Sequence, residues 1–182
     1  MYIRKATEAD AETLLAIYAP YIATPVTFEN ELPTVEEFAR RIREITAFYP
    51  YLVCEMADRI VGYAYAHRQM ERAAYQWNAE LSVYIDKDFT RCGIGKQLYT
   101  RMIELLRRQH VQTLYSLITL PNEASVALHR SFGFRIAGIH KQTGYKCGCW
   151  HDVMWMDLRI NSAEGEPPAL EPCLMDDTFD VK

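Results

Sequence analysis

The segment 77–106 constrains the fold of this chain more than any other part of the sequence. Its first nine residues alternate between apolar or small side chains and polar ones, which is the period of a strand with one buried face. A charged turn follows at 86–90, and apolar residues then recur at helical spacing from Ile94 onward. The sequence therefore predicts a strand, a glycine-bearing turn and a helix in direct succession.

The turn 91–96 carries Gly93 and Gly95 just before the predicted helix. Unpaired backbone N–H groups collect at a helix start and bind phosphate, and glycine lets the backbone approach a ligand closely. The turn is not a Walker A loop, and Leu98 stands where a full G-x-G-x-x-G fingerprint has its third glycine. Taken alone, it is explained equally well as a phosphate site or as a turn that needs glycine for its shape.

The composition is that of a globular protein, with 182 residues, 49% hydrophobic and 24% charged. No apolar run approaches the roughly 18 residues that span a bilayer. The N-terminus has no hydrophobic signal core, so we expect a cytoplasmic chain that binds no membrane. The five cysteines are expected as free thiols. The spacing of Cys147, Cys149 and His151 matches no usual zinc pattern, so no metal is expected.

Charge is spread unevenly along the chain, whose net charge is −4. Residues 161–182 hold six acids and one base, with three prolines and no periodic pattern. We therefore expect one domain at 1–160 and an acidic, flexible C-terminal tail at 161–182, which docks, if at all, through Leu174 and Phe179. The rest of the chain has no basic stripe, so nucleic-acid binding is not expected.

The remaining patterns predict the element order β α α β β β α β α β β. Pro20 and Pro25 are expected to end the first helix. A glycine-rich connection at 144–148 is expected between the last two strands, at 134–139 and 153–160. One sheet with helices on both sides buries the apolar faces of these elements.

The order of elements and several motifs resemble the GNAT N-acetyltransferase superfamily. These motifs are the Val83-Tyr84-Ile85 strand end, the R-C-G-I-G-K turn at 91–96, Leu120-Pro121-Asn122 and Gly133-Phe134. Finer motifs are similar to the phosphinothricin / methionine sulfoximine acetyltransferase branch. They are Thr27-Phe28-Glu29, the run from Tyr75 to Tyr84, Ser125-Val126, Leu128-His129 and the run from Gly148 to Trp155. The resemblance covers about residues 2–159.

The sequence departs from the superfamily pattern at Thr90, three residues before Gly93, where Gln or Arg is usual. The adjacent Arg91 could supply the charge. Because backbone amides do most of the pyrophosphate binding, we still expect the cofactor to bind, without a side-chain role for position 90.

The resemblance implies a mixed, mostly antiparallel α/β (α+β) sheet with helices on both faces and a splayed strand pair. It implies acetyl-CoA as the donor, with the pantetheine arm on the strand end, the pyrophosphate on the turn and a contact from the next strand's end. The expected cofactor-binding residues are Val83, Tyr84, Ile85, Arg91, Cys92, Gly93, Ile94, Gly95, Lys96 and Asn122. A homodimer is expected by resemblance alone.

Three residues are candidates for catalysis. Glu80 is the expected base, directly or through a water, because an acceptor amine must lose a proton before it attacks. The alternative for Glu80 is a solvated acid on a half-exposed strand. His129 is either the acid that protonates the leaving thiolate or only a cofactor contact, with Tyr99 and Tyr84 as weaker alternatives. Glu29 is expected to bind the acceptor's amino group or to assist the base.

The resemblance also implies an acceptor site. Its expected residues are Glu29, Met70, Glu71, Arg72, Glu80, Leu81 and Ser82. A guanidinium at Arg72 could pair with the acceptor's carboxylate through two parallel hydrogen bonds, although Arg72 could equally face solvent. Lys146 is expected near either the substrate mouth or a partner subunit.

The resemblance therefore implies an N-acetyltransferase that moves an acetyl group from acetyl-CoA to the amine of a small amino-acid-like acceptor. Phosphinothricin, methionine sulfoximine and methionine sulfone are the expected types of acceptor. Two alternatives remain open: a non-catalytic acyl-CoA-binding sensor of the same fold, and an enzyme that acetylates peptides or other amines.

Overall fold

The structure, a computed structural model, describes residues 1–162, 165–174 and 179–180, the last pair through its backbone alone. The strands are β1 Tyr2–Lys5, β2 Tyr51–Met56, β3 Arg59–Arg68, β4 Asn78–Ile85, β5 Thr113–Thr119, β6 Arg135–Lys146, β7 Cys149–Arg159 and β8 Phe179–Asp180. The helices are α1 Ala11–Ile22, α2 Val35–Thr46, α3 Ile94–Arg108 and α4 Glu123–Ser131. The predicted element order is confirmed, and β8 is an addition. Within the described ranges, every helix is too short or too polar to cross a bilayer.

The strands form one sheet in the order β6-β7-β5-β4-β3-β2-β1-β8. Every neighbouring pair is antiparallel except β4 and β5, which run parallel. The predicted mixed, mostly antiparallel sheet is therefore confirmed.

Helices cover both faces of the sheet. Successive side chains of a strand point to opposite sides, so a strand with apolar residues at successive positions needs a helix on each face to bury them. On β2, Leu52 and Cys54 join the apolar cluster around α3, whereas Tyr51 and Val53 join the cluster around α1 and α2. All four of these side chains are almost fully buried. The α3 side is aliphatic, and the α1/α2 side is rich in tyrosine. This difference in chemistry between the two faces recurs at the functional site.

The parallel pair β4 and β5 separates after three residues. Pairing runs from Asn78 opposite Thr113 to Glu80 opposite Tyr115. Beyond that point β4 stays paired with β3 as far as Ile85, and β5 stays paired with β7 as far as Thr119. Each strand follows its antiparallel neighbour, so the two strands part. The expected splayed pair is confirmed, and it leaves a wedge-shaped opening in the sheet.

Two local predictions were wrong. Pro20 lies inside α1, which continues to Ile22. Proline removes one helical hydrogen bond, and the last turn is held by the Tyr21 hydroxyl, which donates to Ile85 O at 2.7 Å. The last two strands are also longer than expected. The connection is only Cys147 and Gly148, at φ values of 51° and 80°. Two successive residues with positive φ form the tight hairpin turn that matches strand twist, so the glycine-rich segment before them is strand.

The segment 165–174 lies against the domain. Trp77 Nε1 donates to Pro168 O at 2.8 Å, and Cys173 N donates to Phe48 O at 2.9 Å. Docking through Leu174 was a wrong expectation, because that side chain is 84% exposed, and the apolar contacts come from Leu170 and Cys173 instead. The side chain of Phe179 lies outside the described residues. The division of the chain at residue 160 stays a prediction.

Candidate active site

The opening between β4 and β5 forms a groove of about 70 Å³. Its walls come from the diverging ends of β4 and β5, and α3 and α4 close one side. The residues that line it are Val26, Leu81, Ser82, Val83, Tyr84, Tyr99, Ser116, Leu117, Ile118, Thr119, Asn122, Ser125 and His129. Several residues expected at the cofactor site therefore lie together along one cleft.

The backbone edge of β4 supplies hydrogen-bonding groups to this groove. Asp86 N donates to Val61 O at 2.9 Å, on the β3 side. Because backbone groups alternate between the two edges of a strand, the groups of Leu81 and Val83 point toward β5, and those of Val83 lie beyond the last paired residues. At Ile85 these groups are bonded to the Tyr21 hydroxyl, at 2.7 Å from the carbonyl oxygen and 3.3 Å from the nitrogen. The expected strand-end contact is therefore best supported at Val83.

The turn 91–96 lies at the start of α3, with Gly93 as its N-cap. Arg91 and Gly93 have φ values of 63° and 79°, in the left-handed region where glycine is favoured. The first N–H groups of a helix have no intrahelical acceptor, so the turn presents donors and the positive end of the helix dipole. Ile94 points its side chain into the core, so its contribution is its N–H group. This arrangement fits a pyrophosphate.

Asn122 lies across the groove from the strand end, as the N-cap of α4. Its Oδ1 accepts from Ser125 N at 3.1 Å, and this bond fixes the side chain and directs its amide nitrogen elsewhere. Thr90 Oγ1 donates to Lys87 O at 3.3 Å, within its own turn. The side chain of position 90 is thus engaged locally, in keeping with the expectation that the backbone carries the pyrophosphate.

His129 lies on α4 beside the groove and is 2% exposed. Its Nδ1 lies 2.7 Å from Ser125 O, so this nitrogen carries a proton, and Nε2 then accepts from the Tyr99 hydroxyl at 3.1 Å. Burial lowers the pKa of His129, opposed by the bond to Ser125. The ring is therefore neutral at pH 7, and both nitrogens are occupied. This geometry fits a cofactor contact better than a direct proton donor.

Glu80 lies on the β4 face opposite Leu81, as expected. Its side chain is 20% exposed, and Oε1 lies 4.0 Å from His67 Nε2 on the paired strand β3. Burial raises the pKa of Glu80, and the nearby His67 opposes this effect. A half-buried carboxylate with a raised pKa is a better proton acceptor than a solvated one. This favours the role of a base over the alternative, a solvated acid on a half-exposed strand.

A second cavity, of about 60 Å³, lies on the α1/α2 side of β4. Its walls are mostly aromatic, with one carboxylate and one guanidinium. The lining residues are Tyr18, Glu29, Phe38, Arg41, Ile45, Tyr51, Tyr63, Tyr65 and Tyr84. Tyr84 also lines the groove, so this one side chain separates the two spaces.

Glu29 is held inside this cavity by two partners. Its Oε1 lies 2.5 Å from Arg41 Nη1, and its Oε2 accepts from the Tyr18 hydroxyl at 3.1 Å. The pKa of Tyr65 is raised, and burial is the largest cause. A hydrogen bond with Ser82 lowers this pKa, whereas the carboxylates of Glu29 and Glu80 raise it further. Tyr65 therefore lies within electrostatic range of both carboxylates.

The other residues expected at the acceptor site are placed less closely together. Met70, Glu71 and Arg72 lie exposed in the β3–β4 loop, where Met70 O accepts from Arg68 Nε at 2.9 Å. This loop adjoins the end of β4 that carries Glu80. Ser82 shares the face of Glu80, whereas the side chain of Leu81 points into the α3 core, so only its backbone can contribute.

The sequence did not predict a role for Arg41 or for the cavity's tyrosine wall, which consists of Tyr18, Tyr51, Tyr63, Tyr65 and Tyr84. Tyr63 and Tyr65 lie two residues apart on β3, and their spacing placed them on one face. The ring of Tyr51 on β2 stacks between them, with centroid distances of 5.8 Å and 4.9 Å. The spacing within β3 was readable, but the meeting of these rings with Arg41 depends on how α2 packs.

The Cys147, Cys149 and His151 group lies at the tip of the β6–β7 hairpin. Cys149 Sγ is 3.3 Å from His151 Nε2, and that nitrogen also lies 3.0 Å from Lys146 O. Across residues 1–162 and 165–174, His, Cys, Asp and Glu side chains form no group of three that could hold a metal ion. All five cysteines of the chain are free thiols, as expected.

Comparison with known families finds a match over most of the chain. Residues 3–155 match the family described as "Acetyltransferase (GNAT) domain". The match spans both the groove and the tyrosine-lined cavity, and it ends before the acidic C-terminal segment.

Individual relatives are similar over nearly the whole chain. A phosphinothricin N-acetyltransferase of Streptomyces viridochromogenes is 37% identical over 152 residues, which is 83% of each chain. An L-methionine sulfoximine/L-methionine sulfone acetyltransferase of Pseudomonas paraeruginosa is 33% identical over 170 residues, covering 91% of this chain and 98% of that protein. The crystal structure of a phosphinothricin acetyltransferase from Sinorhizobium meliloti with acetyl-CoA aligns with a TM-score of 0.87 and 31% identity, over 91% of this chain and 92% of that one.

Proposed function

The chain belongs to the GNAT acetyltransferase family and is an acetyl-CoA-dependent N-acetyltransferase, and we propose that its acceptor is the amine of a small amino-acid-like molecule. Acceptors of the phosphinothricin, methionine sulfoximine or methionine sulfone type are those that its relatives' names give. The reaction is a direct attack of the amine on the thioester, assisted by a carboxylate base.

The donor half of the site is the groove with the turn 91–96. Acetyl-CoA supplies the activated acetyl group when it is bound there. The N–H groups at the start of α3 hold the pyrophosphate, and the free backbone edge at Val83 binds the pantetheine arm and the thioester carbonyl. The side-chain amide of Asn122 contacts the cofactor from the opposite side.

Glu80 takes the proton that the acceptor's ammonium must lose, directly or through one water. It lies on the face of β4 that carries Ser82, which lines the groove, and Tyr84, which lines both the groove and the cavity. General-base assistance of this kind contributes about 10²–10⁴-fold to the rate.

Glu29 and the tyrosine wall form the acceptor half. The Glu29 carboxylate binds the acceptor's ammonium group before that group loses a proton. The aromatic rings surround the acceptor's carbon chain. Arg72, in the loop beside Glu80, receives the acceptor's carboxylate. The two exposed neighbours of Arg72, Met70 and Glu71, form the outer rim of this entrance.

The neutral His129 acts in our proposal as a cofactor contact that holds the Tyr99 hydroxyl in the groove. Tyr99 is fully buried, and burial raises its pKa well above the ordinary tyrosine value. Its hydroxyl therefore remains protonated at neutral pH, and because it donates its one proton to His129 Nε2, the pair positions this side of the groove without acting as the proton donor.

One observation carries this proposal: β4 is a wall shared by both spaces. Tyr84 lines the groove and the cavity, and Ser82 and Glu80 lie on the same face of the same strand. An acetyl group bound along the free edge of β4 thus meets an amine held near Glu29 beside a carboxylate with a raised pKa.

An acceptor screen that measures free CoA thiol tests the proposal. Methionine sulfoximine, methionine sulfone and phosphinothricin should each release thiol at least ten times faster than unmodified methionine or a peptide with a free N-terminus. Faster turnover of the peptide would contradict a small-molecule acceptor and would favour the alternative of an enzyme that acetylates peptides. Tight acetyl-CoA binding without turnover of any amine would favour the sensor alternative.

We also infer that the chain forms a homodimer through the β6–β7 side of the sheet. β6 is an edge strand, and Tyr145 and Trp150 on this hairpin are 60% and 59% exposed, with ring centroids 5.4 Å apart. Large exposed aromatic side chains of this kind favour an interface. Sedimentation velocity should give twice the chain mass of 21.1 kDa, and a single monomer species at micromolar concentration would contradict the inference.

A further inference from the structure

Lys146, the last residue of β6, is buried although it carries an ammonium group. It is 7% exposed. Its Nζ reaches the loop between α1 and α2, where it donates to Thr27 O at 2.7 Å and to Glu29 O at 2.6 Å. The two carbonyl groups flank Phe28, so one cation fixes the backbone on both sides of that residue. Buried lysines are rare, and the cost of desolvating the charge is offset here by these two strong hydrogen bonds.

The same hairpin fits the loop at two further points. The ring of Phe28 packs directly over Gly144, where an added Cβ would collide with the ring. Cys147 Sγ lies 3.7 Å from Ala23 O, at the start of the loop. We call these contacts of Gly144, Lys146 and Cys147 with residues 23–29 the hairpin clasp.

The clasped loop carries one side of the acceptor cavity. Thr27 Oγ1 lies 2.6 Å from the Tyr18 hydroxyl, which in turn donates to Glu29 Oε2 at 3.1 Å. Arg41 holds the other oxygen of Glu29. The positions of the Glu29 carboxylate and the Tyr18 ring thus depend on where the loop backbone is held.

We propose that Lys146 is a positioning residue for the acceptor site, which holds residues 27–29 so that Glu29 faces the cavity. The inference rests on the proposed acceptor function of that cavity. Lys146 acts through two backbone carbonyls, without touching the acceptor, and its main effect is on the acceptor half. The donor groove is built mainly from β4, β5, α3 and α4, and Lys146 lies on none of them. Val26 of the clasped loop also lines the groove, but Lys146 bonds to the carbonyls of Thr27 and Glu29.

Steady-state kinetics of Lys146→Met test the proposal, with Lys141→Met as the matched control. Lys141 lies on the same strand, but its side chain is 72% exposed and pairs with Asp152. In Lys146→Met, the KM of the acceptor should rise about tenfold or more, which corresponds to about 1.4 kcal/mol. The KM of acetyl-CoA should stay within twofold. Lys146→Arg keeps the charge and the donors, so it should restore most of the acceptor affinity, and the control should match the wild type.

A second measurement does not depend on turnover. The backbone 15N order parameters of residues 24–31 should be about 0.85 in the wild type and should fall below about 0.6 in Lys146→Met. If the wild type acetylates none of the acceptors, the proposed function fails, whereas this measurement still decides whether Lys146 holds the loop. An unchanged acceptor KM together with a rigid loop in Lys146→Met would overturn the inference.

Gly144→Ala provides a second variant in case Lys146→Met does not fold. Its added methyl group displaces Phe28 and leaves the ammonium in place. The expected result is the same rise in acceptor KM with unchanged acetyl-CoA affinity. An unaltered acceptor KM in a folded Gly144→Ala protein would count against the clasp as firmly as the same result in Lys146→Met.

Discussion

Replacing Glu80 with glutamine should lower kcat/KM for the acceptor by about 10²–10⁴-fold at neutral pH, the range that general-base assistance supplies. Glutamine keeps the size of the side chain but cannot accept the proton. The turn 91–96 and the free edge at Val83 are unaltered, so the dissociation constant of acetyl-CoA should not change. Stopped-assay thiol release and calorimetric titration with acetyl-CoA measure the two quantities separately.

The pH profile gives a second test of Glu80. Burial raises its pKa above 4.5. The active, ionised form therefore accumulates as pH rises through that raised pKa, and kcat/KM should rise over the same interval. The variant should lack this limb, because glutamine does not titrate. A limb that persists unchanged in Glu80→Gln would assign the titration to another group.

Stability should respond to the same substitution in the opposite sense to activity. Since the folded state keeps the Glu80 proton at pH values where the unfolded chain has lost it, this group stabilises the fold at low pH, below the unfolded pKa. That stability is lost as pH rises through the raised pKa of the folded state. At pH 7, Glu80→Gln should therefore unfold at the same temperature as the wild type or at a higher one.

Glu44→Gln is the matched control for Glu80, because Glu44 lies on α2 with a 57% exposed side chain. It should change neither activity nor the pH profile. A Glu80→Gln enzyme that retains more than half of the wild-type rate at neutral pH would remove Glu80 from the role of base.

The second large effect is expected on acetyl-CoA binding when Gly93 becomes valine. Gly93 has a φ of 79°, and a side chain with a Cβ in this region costs about 1–2 kcal/mol, more when it is branched. The space around a Cβ at this position is open, so the effect is conformational and not a clash. The turn relaxes, the N–H groups at the start of α3 turn away, and the dissociation constant should rise about tenfold or more.

Gly148→Val separates this effect from general destabilisation. Gly148 has a φ of 80° and equally open surroundings, but it lies in the β6–β7 hairpin turn. Both variants should lose similar thermal stability, and only Gly93→Val should bind acetyl-CoA weakly in calorimetric titration. Equal loss of acetyl-CoA affinity in both variants would mean that the turn 91–96 has no special role.

The donor half of the site was largely predictable because it is local in sequence. The alternation in 77–85, the glycines at 93 and 95 and the helical spacing after them lie within thirty consecutive residues. Periodicity alone did not predict the splay, because it depends on β5 pairing with β7 along its whole length. The resemblance to a known superfamily supplied that expectation.

The acceptor half was harder to predict because its residues come from distant segments. Arg41 reads in the sequence as one of several charges on an amphipathic helix, and its bond to Glu29 appears only when α2 packs beside the loop. The sequence allows two roles for His129, and our preference for a cofactor contact rests on the neighbouring Ser125 carbonyl and Tyr99 hydroxyl. Such choices depend on hydrogen-bond geometry, which residue spacing does not encode.

The shared wall at β4 has a consequence for how this protein can change. The donor groove takes its lining mainly from residues after 80, whereas the tyrosine-lined cavity takes all but Tyr84 from residues 18–65. The linings of the two spaces therefore come from nearly separate parts of the chain. Substitutions in the first third of the sequence can alter which amine is accepted while acetyl-CoA binding is inherited intact, so new acceptor ranges can arise without rebuilding the chemistry.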